Sequence, residues 1–145
     1  MNREIKFRGL NKKTNKMWYG LPHKGVNEKT YIRCCDGFLT AEIDPETLGE
    51  FTGLHDKNGI EVYEGDILRF PPKNDWENNN YSCFEVFFHD GDGNSDYNIG
   101  YSMSRMHNHG AVCGGCIPAF KPKTVKQMAV IGNIYDNPEL LEKNK

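Results

Sequence analysis

Residues 52–68 read TGLHDKNGIEVYEGDIL, and this stretch decides the predicted fold. Asn58-Gly59 is the strongest short-range hairpin signal, because both residue types tolerate positive φ angles. Ile60 and Val62 then begin a strand, and Glu64-Gly65-Asp66 predicts a second turn before the next apolar run. The stretch therefore predicts short antiparallel strands joined by tight turns.

The same stretch carries four carboxylates, which allow a second interpretation as a paired-carboxylate or divalent-metal site. They are Asp56, Glu61, Glu64 and Asp66. Nothing in their spacing brings them together, and turn chemistry accounts for them one at a time. Asp56 suits an Asx turn into Asn58-Gly59, and Asp66 suits capping of backbone amides before its strand. We therefore predict structural roles, no catalytic residue, and no enzyme.

The segment on the N-terminal side of this stretch is also predicted to form β-structure. REIKFRGL (residues 3–10) alternates apolar and charged side chains, as a half-buried strand does. The polar turn NKKTN follows, and MWYG (residues 17–20) returns as a second strand, so the two form a predicted β-hairpin. Asp44-Pro45 resembles a helix N-terminus with an aspartate cap and proline in the first turn.

The C-terminal side contains a strand that is apolar on both faces. SCFEVFFHDG (residues 82–91) places Phe84, Val86 and Phe88 on one face and Phe87 on the other. Such a strand needs cover on both sides, which favours an interface between identical subunits. Phe84 and Phe88 are predicted as core, whereas Trp76 lies among polar residues of a predicted loop and is expected to be exposed.

Short strands, frequent turns and no long amphipathic helix predict a mainly β chain with a small SH3-like barrel. Residues 1–48 form the N-terminal hairpin and extension of this single domain, and residues 49–136 form the barrel. Residues 90–127 are a predicted long insertion loop in the barrel. Residues 137–145 contain an asparagine cap followed by proline, and predict a short C-terminal helix or tail.

Composition narrows the classes of function. The formal net charge is −2, whereas a general nucleic-acid binder usually has a basic excess or a basic face. No apolar run approaches the roughly 20 residues that span a bilayer, and the start MNREIKFRG has no apolar segment of a secretory signal. Five cysteines without an export signal fit reduced thiols in a cytoplasm. We expect no membrane partner and no cofactor.

One segment has metal-ligand spacing. The pattern is His107-x-His109-x3-Cys113-x2-Cys116, and thiolate and imidazole are the ligands that zinc prefers. Four ligands within ten residues would strain the chain around one tetrahedral ion. A small structural zinc site is therefore the weaker alternative to a loop with reduced thiols, and we assign no metal ligand.

Three blocks together resemble the YopX family, whose members are small proteins encoded by phages and prophages. The blocks are FRGLNKKTNKMWYG, TGLHDKNGIEVYEGDIL and VIGNIYDNPELLE. The resemblance implies a mostly β protein with an SH3-like barrel that acts in the host bacterial cytoplasm. It implies no reaction and supplies no catalytic residues.

Two hypotheses of function follow. The first is a non-enzymatic phage accessory protein that binds an unknown protein partner and forms a homo-oligomer. The second is a nucleic-acid-binding regulator, which requires a local basic face. The candidate residues for that face are Arg3, Lys6, Arg8 and the lysines of residues 121–126.

Overall fold

The computed structural model describes residues 4–34, 37, 39–79, 81–89, 100–109 and 119–137, with the backbone alone at 89 and 105–109. The described chain is mainly β and contains two antiparallel sheets. The strands are β1 (Phe7–Leu10), β2 (Met17–Lys24), β3 (Thr30–Arg33), β4 (Thr40–Glu42), β5 (Gly49–His55), β6 (Glu61–Tyr63), β7 (Asp66–Arg69), β8 (Tyr81–His89), β9 (Gly100–His109) and β10 (Ala129–Asn133). The helices are a 3-10 turn (Pro45–Thr47), α1 (Asp75–Asn79) and α2 (Pro122–Val125).

The chain divides into two compact units, residues 1–53 and 54–145. The strand order is β4-β3-β2-β1-β5-β6 in the first sheet and β10-β7-β8-β9 in the second. Neither sheet closes on itself among the described residues, so mainly β is the fold class that the structure confirms. No helix in the described part of the chain is long and apolar enough to cross a membrane.

The N-terminal unit begins with the predicted hairpin. β1 and β2 pair antiparallel from Phe7↔Gly20 to Leu10↔Met17. Asn11 starts the connecting turn, because its side-chain oxygen Oδ1 accepts hydrogen bonds from the backbone amides of Lys13 (2.8 Å) and Thr14 (3.3 Å). The polar sequence NKKTN therefore forms a specific turn and not a loose connection.

Strand β2 changes its hydrogen-bonding partner halfway along. Its first residues pair with β1, and its last four, Leu21 to Lys24, pair with β3. Gly20 stands at this changeover with a φ of 155°. A Cβ atom at this position would overlap the carbonyl oxygen of Arg33, so only glycine allows the close approach of β2 and β3. Residues 21–24 therefore continue the strand beyond the predicted segment MWYG.

The 3-10 turn at Pro45–Thr47 confirms the predicted aspartate cap, since the Asp44 carboxylate accepts from the Glu46 amide at 3.1 Å. Thr47 ties this turn to β1, because its hydroxyl oxygen accepts from the Leu10 amide at 2.8 Å. The Asp44 amide donates to the Leu10 carbonyl at 2.9 Å. These bonds fix the 3-10 turn against the end of β1.

The C-terminal unit holds an apolar core. The buried members of that core come from β6 to β9, from α2 and from the residue before β10: Val62, Leu68, Phe84, Val86, Met103, Val125 and Met128. Leu54, Phe120 and Val130 pack against this cluster and are partly exposed. Removing this apolar surface from water is the main stabilisation of the unit.

Residues 100–109 form strand β9, within the segment 90–127 that is predicted as an insertion loop. β9 pairs with β8 from Tyr81↔His109 to His89↔Gly100, with one register shift between Cys83 and Phe84. The sequence YSMS at residues 101–104 alternates as a strand does, and Met103 is buried while Ser102 and Ser104 are half-buried. The alternation is weak in the sequence because its polar positions are serines in a glycine-rich segment. Helix α2 also lies within the predicted loop.

Predictions for three parts of the C-terminal half have different outcomes. Phe84 is buried as predicted, but Phe88 is 49% exposed, so the assignment of Phe88 to the core is wrong. Its strand ends at the next residue, and the Phe88 ring packs edge-on against Tyr101 with centroids 5.4 Å apart. Trp76 is 62% exposed as predicted, although it lies on helix α1 and not in a loop. The predicted C-terminal helix at 137–145 lies outside the described residues, apart from Asn137.

Candidate functional site: a groove in the N-terminal unit

Two of the four carboxylates of residues 52–68, Asp56 and Asp66, accept hydrogen bonds from backbone amides, whereas Glu61 accepts from the Tyr63 hydroxyl at 3.1 Å. Asp56 is 4% exposed, and its Oδ1 atom accepts from the amides of Asn58 (2.7 Å) and Ile60 (2.9 Å). Its Oδ2 atom accepts from the amide of Val130 at 2.9 Å. Asp66 is 1% exposed and accepts from the Tyr63 amide at 2.7 Å. The predicted Asx turn and amide cap are confirmed, and these two carboxylates serve the fold.

A groove of about 560 Å³ lies within the N-terminal unit, and we call it the N-terminal groove. Volumes of this size are typical of small-ligand sites. It is lined by Lys12, Pro22, His23, Lys24, Glu28, Lys29, Thr30, Glu42, Ile43, Pro45 and Leu48. No single sequence motif describes this set, because its members come from two turns, three strands and the 3-10 segment.

Backbone pairing explains why Lys12 and Lys24 meet in one groove although they flank opposite ends of β2. Asn11 forms an isolated bridge with Ile43, whose amide donates to the Thr30 carbonyl at 3.0 Å. Thr30 in turn pairs with Lys24 in the β2–β3 ladder. This series of contacts leads from one end of β2 to the other, and the groove forms along it.

The turn between β2 and β3 is held by side-chain contacts. The Asn27 amide nitrogen donates to the Tyr31 hydroxyl at 3.0 Å, and its oxygen accepts from the Lys29 amide at 3.1 Å. Glu28 adopts a φ of 65°, a left-handed conformation that is uncommon for residues other than glycine. Such conformations persist where the surrounding contacts fix them, and they concentrate at functional sites.

The charges of the groove are unevenly paired. Lys29 Nζ lies 3.3 Å from Glu42 Oε1, so these two charges largely neutralise each other. Lys12 and Lys24 are exposed, and neither ammonium has an ion pair or hydrogen bond with a described residue. Two cations without a counter-ion therefore lie beside the apolar groups of the groove.

The apolar part of the groove comes from a β-bridge residue, two prolines and a leucine. Ile43 is 1% exposed, and Leu48 is half-buried. The imidazole of His23 stacks on the Tyr31 ring with centroids 5.7 Å apart and an angle of 23° between planes. This stacking fixes the His23 ring as one flat wall of the groove.

The histidines of the zinc hypothesis lie in β9, where the backbone positions of His107 and His109 are opposite Cys83 and Tyr81. The side chains of His107 and His109 lie outside the described part of the chain, as do Cys113 and Cys116. Among the side chains that are described, no three histidine, cysteine or acidic residues come together to hold a metal. The zinc alternative stays a prediction.

Cys83 has an environment unlike that of a nucleophile. It is fully buried, and this burial raises the pKa of its thiol to about 11, while the nearby Arg69 guanidinium acts in the opposite direction. Arg69 is engaged elsewhere: it lies 3.7 Å from the centre of the Tyr81 ring and donates to the carbonyl oxygens of Phe70 and Glu77. Reactive cysteines need a lowered pKa, so Cys83 is structural.

The candidate residues of the predicted basic face differ in burial and in ion pairing. Arg8 is 4% exposed and so belongs to the interior, and Lys6 forms an ion pair with Glu4 at 3.3 Å. Arg3 lies outside the described residues. Lys121, Lys123 and Lys126 are exposed around α2. Among the candidates that the structure describes, this last cluster keeps the accessibility that a phosphate contact needs.

Comparison with known proteins gives two positive findings. Residues 6–142 match the YopX family, described as YopX protein. The fold is similar to the crystal structure of protein EF1440 from Enterococcus faecalis, with a TM-score of 0.59 and 24% sequence identity. The alignment covers 96% of this chain and 99% of that chain, and at this identity it informs on the fold alone.

No curated protein matches this sequence. The match to the family extends over nearly the whole chain and includes all three of the sequence blocks that resemble it. The chain belongs to the YopX family.

Proposed function

We propose that this chain is a non-enzymatic binding module that takes its ligand in the N-terminal groove. One observation carries the proposal: Lys12 and Lys24 have no counter-ion among the described residues and lie beside an apolar floor. Convergent polar groups around an apolar cavity are typical of a ligand site. The buried carboxylates Asp56 and Asp66, by contrast, accept hydrogen bonds from backbone amides.

The wider setting is part of the same proposal. The protein is encoded by a phage or prophage and acts in the bacterial cytoplasm of the host. The antiparallel strands β5 to β10 support an SH3-like barrel for residues 49–136. The exposed aromatic rings of Phe88 and Trp76 support association of identical subunits or contact with a protein partner.

The proposal is tested by nuclear magnetic resonance on the isotope-labelled full chain with a mixture of small fragments. Binding in the groove shifts the amide signals of the lining residues, and the fragments are recovered unchanged after long incubation. The proposal fails when the chain binds no fragment there, or when a bound fragment is chemically converted.

Nucleic-acid binding is the second candidate, because Lys121, Lys123 and Lys126 are exposed and form no ion pair with a described residue. Addition of a short single- or double-stranded DNA or RNA at low salt tests it in the same spectra. Signals that shift around α2 and return on addition of salt favour this candidate. Signals that stay in place at low salt exclude it.

A further inference from the structure

We propose that the ligand of the N-terminal groove is a small aromatic anion. Its ring lies on the apolar floor, and its single anionic group, a carboxylate or a phosphate, lies against Lys12 and Lys24. This inference rests on the proposed function and adds the chemical class of the ligand.

The apolar floor argues for a ring. Ile43, Leu48 and two prolines supply its apolar contacts, and His23 supplies a flat wall because its ring is held by stacking on Tyr31. A flat apolar ligand buries its faces against such a surface and gains from the removal of both surfaces from water. A bare inorganic anion would leave this floor unused.

The charges argue for one anionic group. Among the five charged side chains that line the groove, three are lysines and two are glutamates, so one net positive charge remains. Lys29 already pairs with Glu42, so the charged lining residues without an ion pair to a described residue are Lys12, Lys24 and Glu28. That balance favours a ligand with one anionic group, and it disfavours a polyanion such as a nucleic-acid strand.

The turn geometry argues that the site exists before the ligand binds. Asn11 holds the turn that carries Lys12, and Asn27 holds the turn that carries Glu28. Backbone segments fixed in this way lose little conformational entropy on binding. Two independent turns therefore fix the backbone of Lys12 and Glu28 before a ligand binds.

Fluorescence titration with anilinonaphthalene sulfonate, itself an aromatic anion, provides the test. The full chain is titrated with this probe, which is then displaced by four competitors. Benzoate and phenyl phosphate carry both a ring and an anionic group, inorganic phosphate lacks the ring, and benzyl alcohol lacks the charge. We expect the first two to displace the probe and the last two to be at least about tenfold weaker. The more effective of the first two identifies carboxylate or phosphate.

Matched lysine variants show whether the probe binds in the N-terminal groove. Lys12→Gln and Lys24→Gln each weaken binding by about two- to fivefold, as expected for one exposed ion pair, and the double variant by roughly tenfold. Lys13→Gln is the control, because Lys13 is an exposed lysine of the same turn that does not line the groove. We expect Lys13→Gln to bind the probe with an affinity within about twofold of that of the unchanged protein. Thermal unfolding of each variant confirms that the fold is retained.

The outcomes separate this inference from the proposed function. If fragments bind in the groove while benzyl alcohol competes as well as benzoate, or the lysine variants bind normally, the ligand class is wrong and the binding module stands. If inorganic phosphate alone displaces the probe, the ring assignment is wrong. If neither fragments nor the probe shifts the signals of the lining residues, both proposals are wrong.

Discussion

The carboxylate of Asp56 accepts a hydrogen bond from the backbone amide of Val130, 74 positions further along the chain, at 2.9 Å. The neighbouring Lys57 amide donates to the Met128 carbonyl at 2.9 Å. One turn residue thus organises its own hairpin through Asn58 and Ile60, and also fixes the start of β10. Asp56 is therefore a long-range structural link, although its sequence context is that of a local turn.

Asp56→Asn is expected to destabilise the protein by roughly 1–3 kcal/mol, although it changes the side-chain shape very little. Both carboxylate oxygens accept hydrogen bonds, whereas an amide has one oxygen and presents an NH2 group to the other donor. Urea denaturation followed by circular dichroism measures the loss of unfolding free energy.

Asp75→Asn is the matched control for that change. Asp75 is exposed on α1, and its carboxylate accepts no hydrogen bond from a described residue. We expect this control to stay within about 0.5 kcal/mol of the unchanged protein. Equal effects from the two substitutions would contradict the structural role of Asp56.

Cys83 is expected to react far more slowly with iodoacetamide in the folded protein than an ordinary thiol. Burial raises the pKa of Cys83 from 9.0 to about 11, which leaves about a hundredfold less thiolate at neutral pH. Peptide mass spectrometry after timed labelling measures its rate, with the half-buried Cys34 as the internal comparison. Rapid labelling of Cys83 without denaturant would disprove the structural assignment.

The turns of residues 52–68 could be predicted from sequence because their information is local. Gly59 and Gly65 have φ values of 79° and 91°, and Asp56 forms the Asx turn that its spacing to Asn58 predicts. Strand β9 was harder, since its period of two is carried by serines beside Tyr101 and Met103 in a glycine-rich setting. Its pairing with β8 supplies the stabilisation that local propensity does not.

The groove could not be predicted, because its residues are brought together by long-range pairing. Lys12 lies in the polar turn NKKTN, and Lys24 lies beyond the predicted strand MWYG. Only the bridge between Asn11 and Ile43 brings them to one site. A sequence signal for that bridge would require knowledge of which strands pair, which no single sequence pattern contains.

Glu85 is expected to make stability fall as the pH rises. Burial raises the pKa of its carboxyl above the ordinary value of 4.5, so the folded state binds a proton more tightly than the unfolded state. Unfolding therefore releases a proton in the interval between the two pKa values. The free energy of unfolding decreases across that interval and levels off above the raised pKa.

Glu85→Gln removes this dependence, since its side chain does not titrate. The stability of the variant relative to the unchanged protein should rise with pH from about 4.5 and then become constant. Urea denaturation at a series of pH values measures it, and Glu28→Gln, an exposed glutamate, is the control. A relative stability that is flat with pH, or that falls, would rule out the raised pKa.

Gly20→Ala is expected to destabilise the N-terminal unit more than an ordinary glycine substitution. Gly20 combines a φ of 155° with a backbone contact, because an added Cβ would overlap the Arg33 carbonyl oxygen. Gly59 has a φ of 79°, and nothing lies within 4 Å of an added Cβ, so Gly59→Ala isolates the cost of the backbone angle alone. We expect about 1 kcal/mol for Gly59→Ala and roughly 2–4 kcal/mol for Gly20→Ala.

Gly20 also links the fold to the groove, because it stands where β2 changes its partner from β1 to β3. Displacing β3 moves Thr30 and the turn that carries Lys29, both of which line the groove. Gly20→Ala should therefore weaken probe binding as well as lower the unfolding free energy measured in urea. Gly59→Ala lies in the other unit and should leave the affinity unchanged. Normal probe binding and stability in folded Gly20→Ala would show that β2 and β3 do not require this close approach.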